Sequence, residues 1–212
     1  MLSKLETLIH APTVRLRNWM RRWEGTIARE LLAGRVRATP EGMILLDTHR
    51  LRGEFFHRVR GRDSEFAFDH NLIVDQGIMK ALGVLFYTDA KISNWYLSLF
   101  TGSTTPVNTL TAASYPATQA EITSTTEGYS NVTRPAFTAS APVANVINNT
   151  ASQAAFNIVC ATSINVKGSG VHSDSARGGT SGTLWSAGLW SAPRDLFNGE
   201  VFDLGYQTSL TD

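Results

Sequence analysis

The sequence predicts a mainly β protein: a β-sandwich body of jelly-roll or Ig-like type, an N-terminal amphipathic helical arm, and one buried helix near residues 75–87. Three observations lead there. Before Gly34, apolar residues recur at helical spacing. After about residue 90, short alternating runs rich in aromatic and β-branched residues stand in Ser/Thr/Asn/Gly-rich surroundings. Between these parts the charge changes sign. Residues 1–62 carry 13 Lys/Arg against 6 Asp/Glu, and residues 63–212 carry 6 against 12, so nets of +7 and −6 lie behind a chain total of +1. The expected organisation is a basic arm over 1–35, a small β-meander over 36–70 and a β-sandwich body over 71–212.

In the arm, Leu2, Leu5, Leu8 and Ile9 keep a helical period that Pro12 interrupts. From Thr13, the residues Val14, Leu16, Trp19, Met20, Trp23, Ile27, Leu31 and Leu32 form a broad apolar stripe, with Gly34 placed to end a helix. Arg15, Arg17, Arg21, Arg22 and Arg29 lie mostly off that stripe. Two readings suit this pattern: tryptophans packed on the arm's own domain, or a docking helix in which Trp19, Trp23 and the arginines engage another subunit. A membrane surface or nucleic acid is the weaker third.

Residues 36–70 read as short strands, Val36–Ala38, Met43–Leu46, Glu54–Val59 and Glu65–Phe68, broken at Pro40-Glu41-Gly42 and at Arg60–Asp63. Arg58, Arg60 and Arg62 fall at period two, which puts them on one strand face as a solvated edge or an anion-binding stripe. Ile78, Leu82, Leu85 and Phe86 repeat at helical intervals, so a buried helix is expected from Asp75, with Asp75 as its cap. Trp95–Phe100 alternates as a core strand, and further strands are expected at Arg134–Thr138, Ala154–Cys160, Ser163–Lys167, Thr183–Leu189 and Val201–Ser209. Between residues 91 and 183 there are 7 charged residues and 28 Ser/Thr, so hydroxyls do most of the solubilising. Residues 101–131 form a long excursion with a helical turn near 117–122. The loop from His172 to Thr183 is expected to be mobile or ordered by a neighbour. Arg134 and Arg194 are rare charges in uncharged surroundings, each expected to act as a structural clamp on a carboxylate or carbonyl. Trp185 and Trp190 are expected to fill the core, and Asn198-Gly199 to turn the chain into its last strand.

Composition argues against chemistry as the function. The one cysteine, Cys160, sits in Phe-Asn-Ile-Val-Cys, the setting of a small buried apolar residue. His10, His49, His57, His70 and His172 lack metal-ligand spacing. The glycine-rich stretch 178–182 lacks a phosphate-binding lysine, and the body's few carboxylates are far apart in sequence. Thus no enzyme, cofactor, metal or small-molecule substrate is expected. The N-terminus lacks the apolar run of a signal peptide, and no apolar run approaches the roughly 20 residues of a membrane span. Synthesis and assembly in a cytoplasm follow as the expectation.

Four blocks in order carry a resemblance: Asn71-Leu-Ile-Val-Asp-Gln-Gly77, Trp95-Tyr-Leu-Ser-Leu-Phe-Thr-Gly102, Gly128-Tyr-Ser-Asn-Val-Thr-Arg-Pro-Ala-Phe137, and residues 184–204. Over roughly residues 54–212 the chain resembles a family of tailed-bacteriophage virion structural proteins, variously labelled capsid decoration, head fibre or tail proteins. The resemblance implies a virion address. On it rest two expectations. One is a capsid decoration, or cement, protein on the capsid exterior that clamps the major capsid protein lattice through its arm and self-associates, as a homotrimer at threefold sites. The other is a tail or head fibre/adaptor protein involved in host attachment.

Overall fold

A computed structural model describes residues 36–39, 42–45 and 50–211. The predicted arm, with Arg15, Arg17, Trp19, Arg21, Arg22, Trp23 and Arg29, lies outside the described residues. The chain divides into two compact units, one ending at His49 and one over Arg50–Thr211. Of the first, the described part is an antiparallel hairpin of β1 (Val36–Thr39) and β2 (Gly42–Leu45), paired from Val36↔Leu45 to Thr39↔Gly42.

The second unit is mainly β. One sheet has the order β4 (Ala67–His70), β3 (Arg50–Val59), β13 (Val201–Thr211), β10 (Ala154–Val159), β7 (Gly128–Tyr129), with β9 (Val146–Asn148) also pairing β13. The other runs β5 (Leu72–Ile73), β12 (Leu184–Phe197), β11 (Ser163–His172), β6 (Trp95–Phe100), β8 (Ala136–Phe137). Every pairing is antiparallel. Two helices complete the described elements, α1 (Asp75–Phe86) and the short α2 (Tyr115–Gln119).

The two sheets share one core. Phe55, Val59, Phe156, Ile158, Phe202 and Leu204 from the first pack with Leu97, Leu99, Val166, Val171, Trp190 and Leu196 from the second. Alternation is the local cause: in β10 the residues Ala154, Phe156 and Ile158 are buried while Asn157 faces out. Successive strands change sheet at tight corners. Asn71 separates β4 from β5, Cys160–Thr162 separates β10 from β11, and the Asn198-Gly199 turn, with Gly199 at φ +82°, carries β12 into β13. Trp190–Pro193 bulge out of β12, because register passes from Val166↔Arg194 to Gly168↔Leu189. Pro193, which has no N–H to give a ladder, fits that bulge.

Four expectations need correction. The meander over 36–70 divides: β3 pairs β13 over ten residues, Arg50↔Thr211 to Val59↔Phe202, so β3 and β4 belong to the main body. The cause is long-range pairing between segments about 150 residues apart, which no local turn signal reports. The arginine stripe is not open to an anion. Arg58 and Arg60 both meet Asp203 and Arg62 meets Glu200 at 2.8 Å, so carboxylates from β13 and the turn before it already engage all three.

The helix near residues 75–87 forms, but it is not buried. Gly77 is its one buried residue, while Ile78, Met79, Leu82, Leu85 and Phe86 are exposed. Helical periodicity reports an apolar face; it does not report whether the same chain covers that face. Nor does Asp75 cap it: Val74 is the N-cap residue and makes no side-chain cap bond. Gln76 anchors this end instead, its Oε1 accepting from the Ala112 and Leu184 amides at 2.8 and 2.9 Å.

Gly77 is what lets α1 lie on β12. A Cβ there would come within 2.6 Å of the Trp185 carbonyl oxygen and 2.9 Å of its Cα, both backbone atoms. Gly77→Ala should therefore lower stability by about 1–3 kcal/mol despite alanine's better helix propensity, read as a lower urea midpoint at unchanged m-value.

Candidate functional site

Of the sequence-predicted clamps, Arg134 is the more enclosed. Its side chain and that of Glu121 are each 0% exposed. Nε and Nη2 donate to the two Glu121 carboxylate oxygens at 2.7 and 2.6 Å, a bidentate pair. The remaining donors reach backbone carbonyls, Nη1 to Asp174 at 2.9 Å and Nη2 to Gly179 at 3.2 Å. The Arg134 amide donates to the Ser175 carbonyl at 2.8 Å. Burial works against the guanidinium charge, and Glu121 outweighs it, holding Arg134 above its ordinary pKa.

Arg177 answers from the opposite loop. Its Nη1 donates to the carbonyls of Tyr129 (2.9 Å) and Asn131 (2.8 Å), its Nη2 to Ser124 at 2.5 Å, and its guanidinium lies 3.8 Å from the Tyr129 ring centre. Burial, the largest cause, pushes the Tyr129 phenol up to about 12. Within the 173–183 loop, Asp174 accepts from the Ala176 amide and the Ser181 hydroxyl, and these bonds hold its carboxyl below the usual range. The loop expected to be mobile or ordered by a neighbour is thus ordered by its own chain. Two arginines replace the backbone ladders that it lacks.

Arg194 sits at the other predicted clamp. Its Nη2 donates to Asp63 Oδ2, which also accepts from the Val59 amide at 2.8 Å, tying β12 below its bulge to the turn after β3.

Two histidines hold the interior in ways the sequence did not signal. His57 Nε2 donates to Asp69 Oδ2 at 3.0 Å, Asp69 Oδ1 accepts from the Ser191 amide at 2.6 Å, and the Trp190 indole stacks on the imidazole with centroids 4.0 Å apart. Deeper in the second sheet, Ser98 Oγ lies 2.8 Å from His172 Nε2 and 2.7 Å from the Tyr115 hydroxyl. Both constellations contain groups used in acid–base and nucleophilic catalysis. All five side chains are buried, so they brace strands and cannot meet a solvent-borne substrate. Burial lowers the pKa of His57 against the raising effect of Asp69. Burial also lowers that of His172 well below 6.5, aided by the Arg134 charge.

The accessible features cluster around α1. A cleft of about 680 Å³ opens beside its last turns, lined by Val84, Leu85, Ile92, Trp95, Phe137 and Trp185, with Lys80 and Lys91 also contributing. A shallower hollow of about 500 Å³ runs along its other flank, by Met79, Leu82, Gly83 and Phe86. Trp190 fills the core as expected, but Trp185 is half-buried in the cleft wall, where its Nε1 donates to the Tyr206 hydroxyl at 2.8 Å. Cys160 is buried and unpaired. Among the described residues, no group of three or more His, Cys, Asp or Glu is placed to hold a metal, and no helix is long and apolar enough to cross a membrane.

Compared with known proteins, the chain matches no protein-family model and no curated protein.

Arg134→Met should cost about 3–5 kcal/mol, because it strands Glu121 as an unpaired buried charge, and should open the 173–183 loop to limited proteolysis. The double variant Arg134→Met/Glu121→Leu should recover part of that loss, measured by urea unfolding. Stability should also fall as pH drops below about 6.5. Unfolded histidines take up a proton there, whereas folded His57 and His172 wait for lower pH, so the unfolded state binds more protons. The slope is at most about 1.4 kcal/mol per pH unit for each histidine. Melting temperatures between pH 7.5 and 5 should follow this trend, and His172→Gln should flatten it.

Proposed function

We propose that this chain is a tailed-bacteriophage virion structural protein, a capsid decoration protein that binds and stabilises the major capsid protein lattice from outside. The observation that carries the reading is the contrast within the body. Its loops are braced internally by the buried Arg134 and the half-buried Arg177, yet one helix turns an apolar face to the solvent beside an open cleft. A self-braced body with a large apolar face among its described residues suits a building block better than a catalyst. The basic residues 1–35, with Trp19 and Trp23, supply the anchor in this reading, and self-association, as a homotrimer, matches the threefold sites of an icosahedral shell. Binding only the assembled lattice would stabilise it by mass action. The body is then a β-sandwich of jelly-roll or Ig-like type, carrying no catalysis and no cofactor, assembled in the host cytoplasm onto the virion.

The aromatic cleft favours a second reading. Trp95, Phe137 and Trp185 in one concave surface would suit a fibre or adaptor protein that holds a host receptor or a neighbouring tail component.

Copy number per particle separates the two. Quantitative mass spectrometry against the major capsid protein should give hundreds of copies, near parity with the shell subunit; a few copies to a few tens would move the protein to the tail or a vertex. Deleting residues 1–35 should leave a folded body that no longer binds particles. Trp19→Ala and Trp23→Ala should each weaken particle binding by on the order of 2–4 kcal/mol, read by co-sedimentation.

A further inference from the structure

We infer that the outward face of α1 is the surface through which copies of this chain associate. The inference rests on the self-association element of the proposed function and is independent of where in a particle the protein sits. Ile78, Met79, Leu82, Leu85, Phe86 and the following Tyr87 are 40, 66, 46, 70, 81 and 77% exposed. Ile78, Leu82 and Leu85 follow the i, i+4, i+7 rhythm, and Met79, Leu82 and Phe86 the i, i+3, i+7 rhythm, so they form one continuous helical surface. Among the other described residues, Leu51 and Leu210 are exposed as one cross-strand pair, Phe68, Leu72 and Phe197 stand on separate strands, and Val107, Val132 and Val143 lie on loops, so none forms a comparable run.

Area, shape and charge point to a second copy as the occupant. Six large apolar side chains exposed to this degree leave on the order of several hundred Å² of apolar surface. That approaches the roughly 800 Å² per partner of a stable protein interface. In shape, α1 is a ridge between two hollows of about 680 and 500 Å³. A surface holding both ridge and hollow is complementary to itself, since one copy's helix can enter the hollow beside the other's.

The charges bordering the patch are Asp75, Lys80, Asp89 and Lys91, which sum to zero, and Lys80 already binds Asp89 at 3.1 Å. Copies brought together on this face meet no excess of like charge. A nucleic acid or anionic lipid surface would call for the surplus of positive charge that the patch lacks.

The test is sedimentation velocity of the full chain across a concentration series, for wild type and for Leu85→Glu/Phe86→Glu, with Val132→Glu as an exposed-site control. Both altered residues point into solvent, so the fold should persist, and far-UV circular dichroism checks this; Met79→Lys is a second, single-site probe. The expected result is a discrete wild-type oligomer, unchanged in Val132→Glu, with self-affinity weakened at least 100-fold in the double variant and clearly reduced in Met79→Lys. A wild type that stays monomeric at all concentrations would overturn the inference, as would an oligomer indifferent to both variants. So would a monomer whose Tyr87 is shielded from solvent labelling only while residues 1–49 are present, which would give the face to the chain's own N-terminal segment. Capsid co-sedimentation of the same proteins keeps the two readings apart. Oligomers that ignore capsids sink decoration and leave this face assigned; monomers that bind capsids do the reverse.

Discussion

Two buried charges, Arg134 and Glu121, hold the irregular part of this body in place. Taking both out of water is costly, and a single contact would not offset it. Here the carboxylate receives two short bonds, and the remaining guanidinium donors find the carbonyls of Asp174 and Gly179. The same contacts satisfy backbone groups that have no strand partner. This is how stretches poor in regular structure, residues 121–135 and 173–183, can lie together with many of their backbone carbonyls paired. Arg177 repeats the device in the opposite direction, so each of the two loop regions carries an arginine that binds carbonyls of the other.

The histidines extend that logic into the core. His57 joins β3 to β4 through Asp69, and Asp69 reaches across to the β12 bulge at Ser191, so one carboxylate connects three strands of two sheets. Trp190, at the start of the bulge, closes over the imidazole. His172 does the equivalent near the far end of β11, bridged by Ser98 to Tyr115 of α2. Both imidazoles are held neutral by burial, so they work as shaped hydrogen-bonding groups in the core and their desolvation ties stability to pH.

Against so self-contained an interior, α1 stands apart. Most large apolar residues elsewhere in the body are covered, while this helix meets β12 through Gly77 and the Gln76 side chain and turns apolar residues outward. A braced body with an uncovered helical face has its interaction geometry set before any partner arrives. Little ordering entropy then opposes association at that face. That economy is what a repetitive assembly requires, and it links the internal arginine clamps to the function proposed for the surface.

Much of the β pattern was legible in the sequence, because side-chain alternation follows from strand geometry and needs no knowledge of neighbours. Trp95–Phe100 is a strand over the residues its alternation marks, and Ala154–Val159 and Val201–Thr211 lie within two residues of expectation. Arg134 and Arg194 could be singled out as charges needing partners, since an unpaired charge in apolar surroundings is too costly to leave. Which carboxylate each would find was not legible: Asp63 lies 131 residues from Arg194, and Glu121, though only 13 residues from Arg134, is brought to it by a loop without periodicity. Strands β5, β7 and β9 escaped notice because two or three residues cannot display a period. The joining of β3 to β13, the bulge at Trp190 and the exposure of α1 were likewise decided only in three dimensions. The sequence alone determined which residues alternate, which stretches are helical and where charge is scarce, all consequences of local backbone geometry and solvation. Tertiary structure decided which surfaces meet and which stay open, because that depends on the mutual fit of segments far apart along the chain.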